Sequence, residues 1–253
     1  MEMNNLLSVC QYAVKKAVEL GADEAEAYAS SGRETEVSIE TNDVKMGKSH
    51  TQSGLGIRVF RKHALGFTSI NDMSREKVLD AVGEAVKISS STPPDPCNTL
   101  PQPAKTSEIS GLYDPASEGF GVDDALKLAL EMLKEARGYD PRVSVDSGLF
   151  KVVVGRQAIA NSEGIELQER GSLFIWYIMG MAIEGEEVSS FDFQFDGTRL
   201  VGLVDVLKTA REFASNVIRS LGARKVESFK GVVLLSPEAA LELLVQPITF
   251  SVN

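Results

Sequence analysis

Apolar and polar residues alternate most regularly between Ser53 and Ile70. Leu55, Ile57 and Val59 take every second place, with Gly54, Gly56, Arg58 and Phe60 between them. A period of two predicts a strand with one apolar face. The two glycines on its other face leave room for close approach of a backbone or a ligand. A basic turn, Arg61 to Ala64, leads into a second run in which Leu65, Phe67 and Ser69 share one side. Ser74 is placed to cap a helix reaching about Ser89, in which Val78, Leu79, Val82, Ala85 and Val86 recur at helical spacing. Met73 and Val78 are spaced as a hydrophobic staple.

The flanking residues extend this unit. Leu6, Cys10, Ala13, Ala17 and Leu20 form one stripe of an amphipathic helix closed by Gly21. Thr35, Val37 and Ile39 alternate with Glu34, Glu36, Ser38 and Glu40, which predicts a half-exposed strand with an acidic outer face. A turn at Thr41-Asn42-Asp43 then leads to a partner strand through Val44 and Met46. Residues 1–90 therefore read as a first module: helix, about four antiparallel strands, helix. Pro93, Pro94, Pro96, Pro101, Pro103 and Pro115 mark residues 91–115 as a linker or an extended surface arm.

Residues 116–224 repeat the outline as a second module. A helix from about Val122 to Arg137 carries Leu126, Ala129, Leu130 and Leu133 on one face, with Asp123 and Asp124 in its first turn. Val143 with Val145, and Val152 with Val154, mark strands, and Asn161 to Gly164 a turn. The run LFIWYIMGMAI (173–183) predicts a central strand buried on both faces. Phe191, Phe193 and Phe195 are expected in the core, opposite solvated Asp192 and Asp196. A helix from about Leu200 to Leu221 closes the module. In residues 225–253 a strand is expected at Gly231–Leu235, then a helix opened by Ser236 and Pro237 and stopped by Pro247. ITFSVN would begin another strand. These residues are expected to start a third, truncated domain. The fold class is α+β: two modules of antiparallel sheet packed by helices, with the start of a third domain.

Composition narrows the partners. The net charge of −10 over 253 residues opposes binding to a phosphate backbone. The 11-residue apolar run is too short to span a bilayer, and MEMNNLLSV lacks a basic leader, so a cytoplasmic location is expected. Cys10 and Cys97, one on an apolar helix face and one in a loop, suggest neither a disulfide scaffold nor a cysteine metal site.

No motif supplies a reaction. Met46-Gly47-Lys48-Ser49 has Asn42 where a phosphate loop needs its first glycine, and it lies on a strand. Gly54-x-Gly56 lacks a third glycine and opens no helix. His50 and His63 have no second ligand at helical spacing, and Glu184, Glu186 and Glu187 read as an acidic turn.

Three segments in order, SGLGIRVFRKHALGFTSINDMS, AIANSEGIEL and LGARKVESFKGVVLLSPEAALELL, resemble the TldD/PmbA family, historically labelled modulators of DNA gyrase. The matching positions include Gly54, Gly56, Arg58, Gly66, Phe67, Asn161, Ser162 and Gly164, expected to be structural. The resemblance implies two α/β modules before a large C-terminal domain, and a paired assembly. It implies that the TldD-type subunit carries H-E-x-x-x-H on the helix after a VVL-like strand. Here that motif would fall within Leu244 to Phe250, which holds no zinc ligand. The chain therefore resembles the PmbA (TldE) type, the metal-free partner of a two-protein peptidase acting on unfolded peptides. No catalytic residue and no cofactor of its own are expected, with zinc only in a TldD-type partner. The alternatives to that partner are a homodimer, or a free-standing oligomerisation or protein-binding module without activity.

Overall fold

The computed structural model describes residues 5–107 and 109–252. Within the unit Met1–Leu221 the elements run α1 (Leu6–Glu19), β1 (Glu24–Glu40), β2 (Asp43–Arg61), β3 (Ala64–Ile70), α2 (Arg75–Ser89), α3 (Val122–Tyr139), β4 (Val143–Asn161), β5 (Glu166–Glu184), β6 (Glu187–Val188), β7 (Asp192–Thr198) and α4 (Val206–Arg219). The class is α+β with an antiparallel sheet, as expected. The sheets of the two modules are continuous, however. β1 pairs with β2 on one side and, over Glu26–Glu40, with β4 on the other. The result is a seven-stranded sheet in the order β3-β2-β1-β4-β5-β6, with β7 also on β5.

Several short strands in the sequence reading are parts of longer ones. β2 runs unbroken through polar Gly47 to Gln52, because this stretch pairs with β1 from Gln52↔Gly32 to Gly47↔Val37. The first module thus holds three strands rather than about four. β1 itself begins at Glu24, where Ala25, Ala27 and Ala29 alternate into the core. Alanine is a poor strand former, so this half carried little local signal. Thr41 and Asn42 both have positive φ and close a tight turn between β1 and β2, as do Lys62 and His63 between β2 and β3.

The buried positions of β1 keep one parity along its length, and those of β4 change parity only across the bulge between Val145 and Ser147, which keeps them on the same side, so all four helices cover one face of the sheet. Under α1 and α2 lies a small-residue core of Ala13, Ala17, Ala27, Val59 and Ala85. Under α3 and α4 lies a larger one built on Phe150, Phe174, Trp176, Ile178 and Phe213. The run LFIWYIMGMAI, expected to be buried on both faces, buries only Phe174, Trp176, Ile178, Gly180 and Ala182. Its odd-numbered residues are half-buried or exposed on the uncovered face. Phe191, Phe193 and Phe195, expected in the core, are also exposed. α4 begins at Val206 rather than Leu200, because Asp205 Oδ1 accepts from the Lys208 amide at 3.0 Å and sets the helix start. Ser74 precedes α2 as expected, but its hydroxyl makes no cap bond.

The Pro-rich arm is pinned rather than loose. Asp95 N donates to the His63 carbonyl, Leu100 N to Glu24 Oε2 and Asn161 Nδ2 to the Pro101 carbonyl.

The unit Gly222–Asn253 departs furthest from the pattern. Gly231 to Leu235 form no strand, and Val232 and Leu234 are exposed. Helix α5 (Pro237–Ala240) passes through a π turn, Leu241–Val245, into α6 (Gln246–Ser251). Pro247 therefore does not end the helix, and ITFSVN is helical up to Ser251. A π turn shifts the register, so that proline falls in the first turn of α6, where no intrahelical amide is needed.

No helix among the described residues is long and apolar enough to cross a membrane. Cys10 Sγ–H donates to the Ala158 carbonyl at 3.5 Å, and burial pushes its pKa up to about 11. Cys97 is exposed. In the native protein a thiol reagent is therefore expected to label Cys97 promptly and Cys10 only after unfolding, which peptide mass spectrometry would show.

Candidate functional site

The face of the sheet opposite the four helices is open, and its cross-strand rows change in character from one end to the other. At one end Leu149 of β4, Tyr177 and Met179 of β5, and Phe193 and Phe195 of β7 adjoin one another. The rings of Tyr177 and Phe193 lie 5.4 Å apart. This is an apolar surface built on a strand ladder and facing solvent.

The next rows are charged. Glu36 of β1 stands between Lys48 of β2 and Lys151 of β4, at 2.9 Å and 2.8 Å. Lys151 also reaches Glu34 at 3.0 Å. Glu36 is 13 % and Lys151 24 % exposed, so water screens the row only in part. The Lys151 ammonium, followed by Lys48, holds the Glu36 carboxyl below its ordinary pKa against the opposing effect of burial. Glu36, followed by Glu34, holds Lys151 above its own. A depressed carboxyl stabilises the fold above its unfolded pKa, about 4.3, and that contribution is lost as pH falls through the folded value. A raised ammonium stabilises below about pH 10.4, and the contribution is lost as pH rises through its folded value. Lys151→Met is expected to lower stability by about 1–2 kcal/mol. In urea melts the gap from the parent should hold over about pH 5–10 and close at both extremes.

Beyond the charges, Gly32 of β1, Gly155 of β4 and Gly171 of β5 fall opposite one another. A Cβ on Gly32 would lie 3.3 Å from the Val154 carbonyl oxygen, so the strands approach closely here. The row floors a trough of about 440 Å³ whose walls include Gln52, Arg156, Gln157, Glu169 and Arg199. Gln157 bridges the Tyr28 hydroxyl and the Glu169 carboxylate.

The family-matching residues form two clusters rather than one site. In the first, the Phe67 ring lies over Gly56, 3.5 Å from where a Cβ would stand. Arg58 Nη2 donates to Glu26 Oε1 at 2.7 Å. Gly54 lies near the Ile70 carbonyl, and Gly66 supports α2. In the second, Asn161 Oδ1 accepts from the amides of Glu163 and Ile165, closing the β4–β5 turn, and Gly164 takes a φ of +100°. Ser162 Oγ accepts from the Ala25 amide, tying that turn to β1. Arg58, Glu26 and Asn161 share one cross-strand row, which links the clusters through β1. These groups are engaged in turn, strand or helix contacts, except that Arg58 Nε is buried without a hydrogen-bond partner.

Reading along the chain missed the Lys48–Glu36–Lys151 row and the glycine row. The acidic outer face of β1 was the visible signal for the first. Neither row appears without knowing that β4 lies beside β1.

His50 hydrogen-bonds Gln52 at 2.7 Å on the open face, and His63 Nδ1 donates to the Asn98 carbonyl at 3.0 Å in the β2–β3 turn. Among the described residues, no group of three or more His, Cys, Asp or Glu is placed to hold a metal ion. Leu244 to Phe250, where the family motif would fall, offer no imidazole, thiolate or carboxylate, so the stretch does not fit zinc.

Two family models match the two modules: "PmbA/TldA metallopeptidase domain 1" over residues 25–89 and "PmbA/TldA metallopeptidase central domain" over residues 116–221. The Metalloprotease PmbA homolog of Haemophilus influenzae is 25% identical over 248 residues, covering 94% of this chain and 53% of that protein. TldE from Thermococcus kodakarensis matches with a TM-score of 0.77 and 23% identity, over 82% of this chain and 47% of its own. A solved structure from Bacteroides thetaiotaomicron, described as a candidate modulator of DNA gyrase, matches with a TM-score of 0.77 and 18% identity. It is covered over 52% of its length and covers 90% of this chain. The chain spans about half the length of these relatives. With both modules matched in order, the chain belongs to the PmbA/TldD metallopeptidase family.

Proposed function

We propose that this chain is a PmbA/TldE-type, non-catalytic subunit of a cytoplasmic TldD/PmbA metallopeptidase that processes unfolded peptides. The observation that carries the reading is the absence of any zinc-binding side chain from Leu244 to Phe250, in a chain that otherwise follows the family. A TldD-type partner supplies the zinc and the general base. This chain contributes walls and backbone edges to the peptide's enclosure, a role that needs strands and apolar surface rather than a reactive side chain. The net charge of −10 supports a peptide or protein partner over DNA.

The test is reconstitution with a TldD-type protein and an unfolded peptide substrate. Activity is expected only with both chains present, and it should be lost on chelation and restored by zinc. Chelator-sensitive activity of this chain alone would overturn the reading. Failure to associate with a TldD-type protein would favour the free-standing binding module.

A further inference from the structure

The uncovered edge of β7 has the properties of a docking strand. β7 pairs with β5 on one side, and among the described residues no strand pairs with its other side. The Gly197 amide, which would face a further strand, is met instead by the carboxylate of the adjacent Asp196 at 2.7 Å. By ladder alternation the amides of Phe193 and Phe195 lie on the same free edge. Edge strands are commonly protected by lysine, proline, a bulge or charges on the inner face, and of these β7 has only the two aspartates, whose charge a cationic strand would neutralise. The sequence of β7, DFQFDGT, contains no lysine or proline, and its pairing with β5 is regular.

The two faces of β7 define what would pair there. Phe193 and Phe195, 54% and 58% exposed, extend the open apolar face. Asp192 and Asp196 lie on the other face; Asp192 accepts from Gln194 Nε2 at 2.9 Å and Asn216 Nδ2 at 3.3 Å, both neutral donors, and neither aspartate has a lysine or arginine partner among the described residues. A second copy does not supply the cations that Asp192 and Asp196 lack: β7 has no lysine or arginine, and antiparallel self-pairing centred on Gln194 would set each copy's Asp192 against the other's Asp196.

We propose that the free edge of β7 accepts an extended peptide in which apolar residues alternate with lysine or arginine. The apolar side chains lie over Phe193 and Phe195, the cations oppose Asp192 and Asp196, and the peptide backbone completes the ladder. The peptide's role as substrate rests on the function proposed above. Binding at the edge does not, because it needs neither zinc nor a partner subunit.

The experiment is fluorescence anisotropy of a labelled Lys-Val-Lys-Val-Lys-Val-Lys peptide titrated with this chain alone. Saturable binding is expected, with the corresponding Glu-Val peptide much weaker and the gap narrowing with salt. Asp196→Asn, at an exposed position, should weaken binding about threefold, and Asp196→Lys about tenfold. Phe195→Pro removes one outward amide and should abolish binding, while far-UV circular dichroism confirms that the sheet remains. Equal binding of the acidic peptide, or binding indifferent to both Phe195→Pro and Asp196→Lys, would overturn the proposal. So would concentration-dependent dimerisation that Asp196→Lys disrupts while the peptide fails to bind. None of these outcomes depends on whether a TldD-type partner restores peptidase activity.

Discussion

Gly66→Ala is expected to destabilise the protein by about 3 kcal/mol or more. A Cβ at that position would stand 1.9 Å from the carbonyl oxygen of Ala85 and 2.9 Å from both the Ala85 carbonyl carbon and the Ser89 nitrogen. All three are backbone atoms of α2, so no side-chain rotation relieves the overlap. The helix must lift from β3, and with it Val78, Val82 and Ala85 leave the core that α2 closes. Equilibrium urea unfolding would measure the loss, and the midpoint of thermal unfolding should fall by roughly 6–12 °C. Gly83, on the same helix, is the control. Nothing lies within 4 Å of its Cβ position, so Gly83→Ala should raise stability by about 0.5–1 kcal/mol through helix propensity alone. Equal stability of Gly66→Ala and the parent would mean that α2 does not rest on β3 in this way.

Trp176→Ala is expected to cost roughly 3–5 kcal/mol. Trp176 is 1% exposed and stacks on Phe150 with ring centroids 6.1 Å apart. Its Nε1 donates to Thr209 Oγ1 at 2.7 Å, joining β5 to α4. Truncation leaves a cavity between the sheet and α4 and removes a partner from a hydroxyl that is 3% exposed. Trp176→Phe keeps most of the volume and should lose less than half as much. Thr209→Val separates the polar contribution and should cost about 1 kcal/mol. Because the chain has a single tryptophan, the melts are read by far-UV circular dichroism. A loss under about 1 kcal/mol for Trp176→Ala would contradict the packing of α4 on β5.

The local elements were legible because their causes are local. The stripe Leu6, Cys10, Ala13 and Ala17 predicted α1, and Asn161 to Gly164 predicted the turn that Asn161 closes with its own side chain. The errors share one cause. Alternation identifies which residues share a face, but not whether a helix or water lies over that face. The Phe191, Phe193 and Phe195 ladder read as core because phenylalanine is usually buried. In the fold the helices lie against the Asp192 and Gln194 side of β7, where Asn216 of α4 reaches Asp192 at 3.3 Å. The same ambiguity placed both faces of the 173–183 run in the interior. At the C-terminal end, Ser236 caps the helix that Pro237 opens, as their residue types predict. A strand at Gly231 to Leu235 was not found, since a strand exists only against a partner and sequence alone names none.

By itself the sequence determined the α+β class, the order of the two modules, the arm between them and the absence of zinc ligands from Leu244 to Phe250. Each follows from residue type and spacing, which act over a few positions of the chain. Only the tertiary structure decided that β1 and β4 join the modules into one sheet, because this pairing brings together residues more than a hundred positions apart. That single pairing aligns Lys48, Glu36 and Lys151 into a charged row and Gly32, Gly155 and Gly171 into a trough. Placing all four helices on one face then leaves the other face, and the free edge of β7, open to a partner strand.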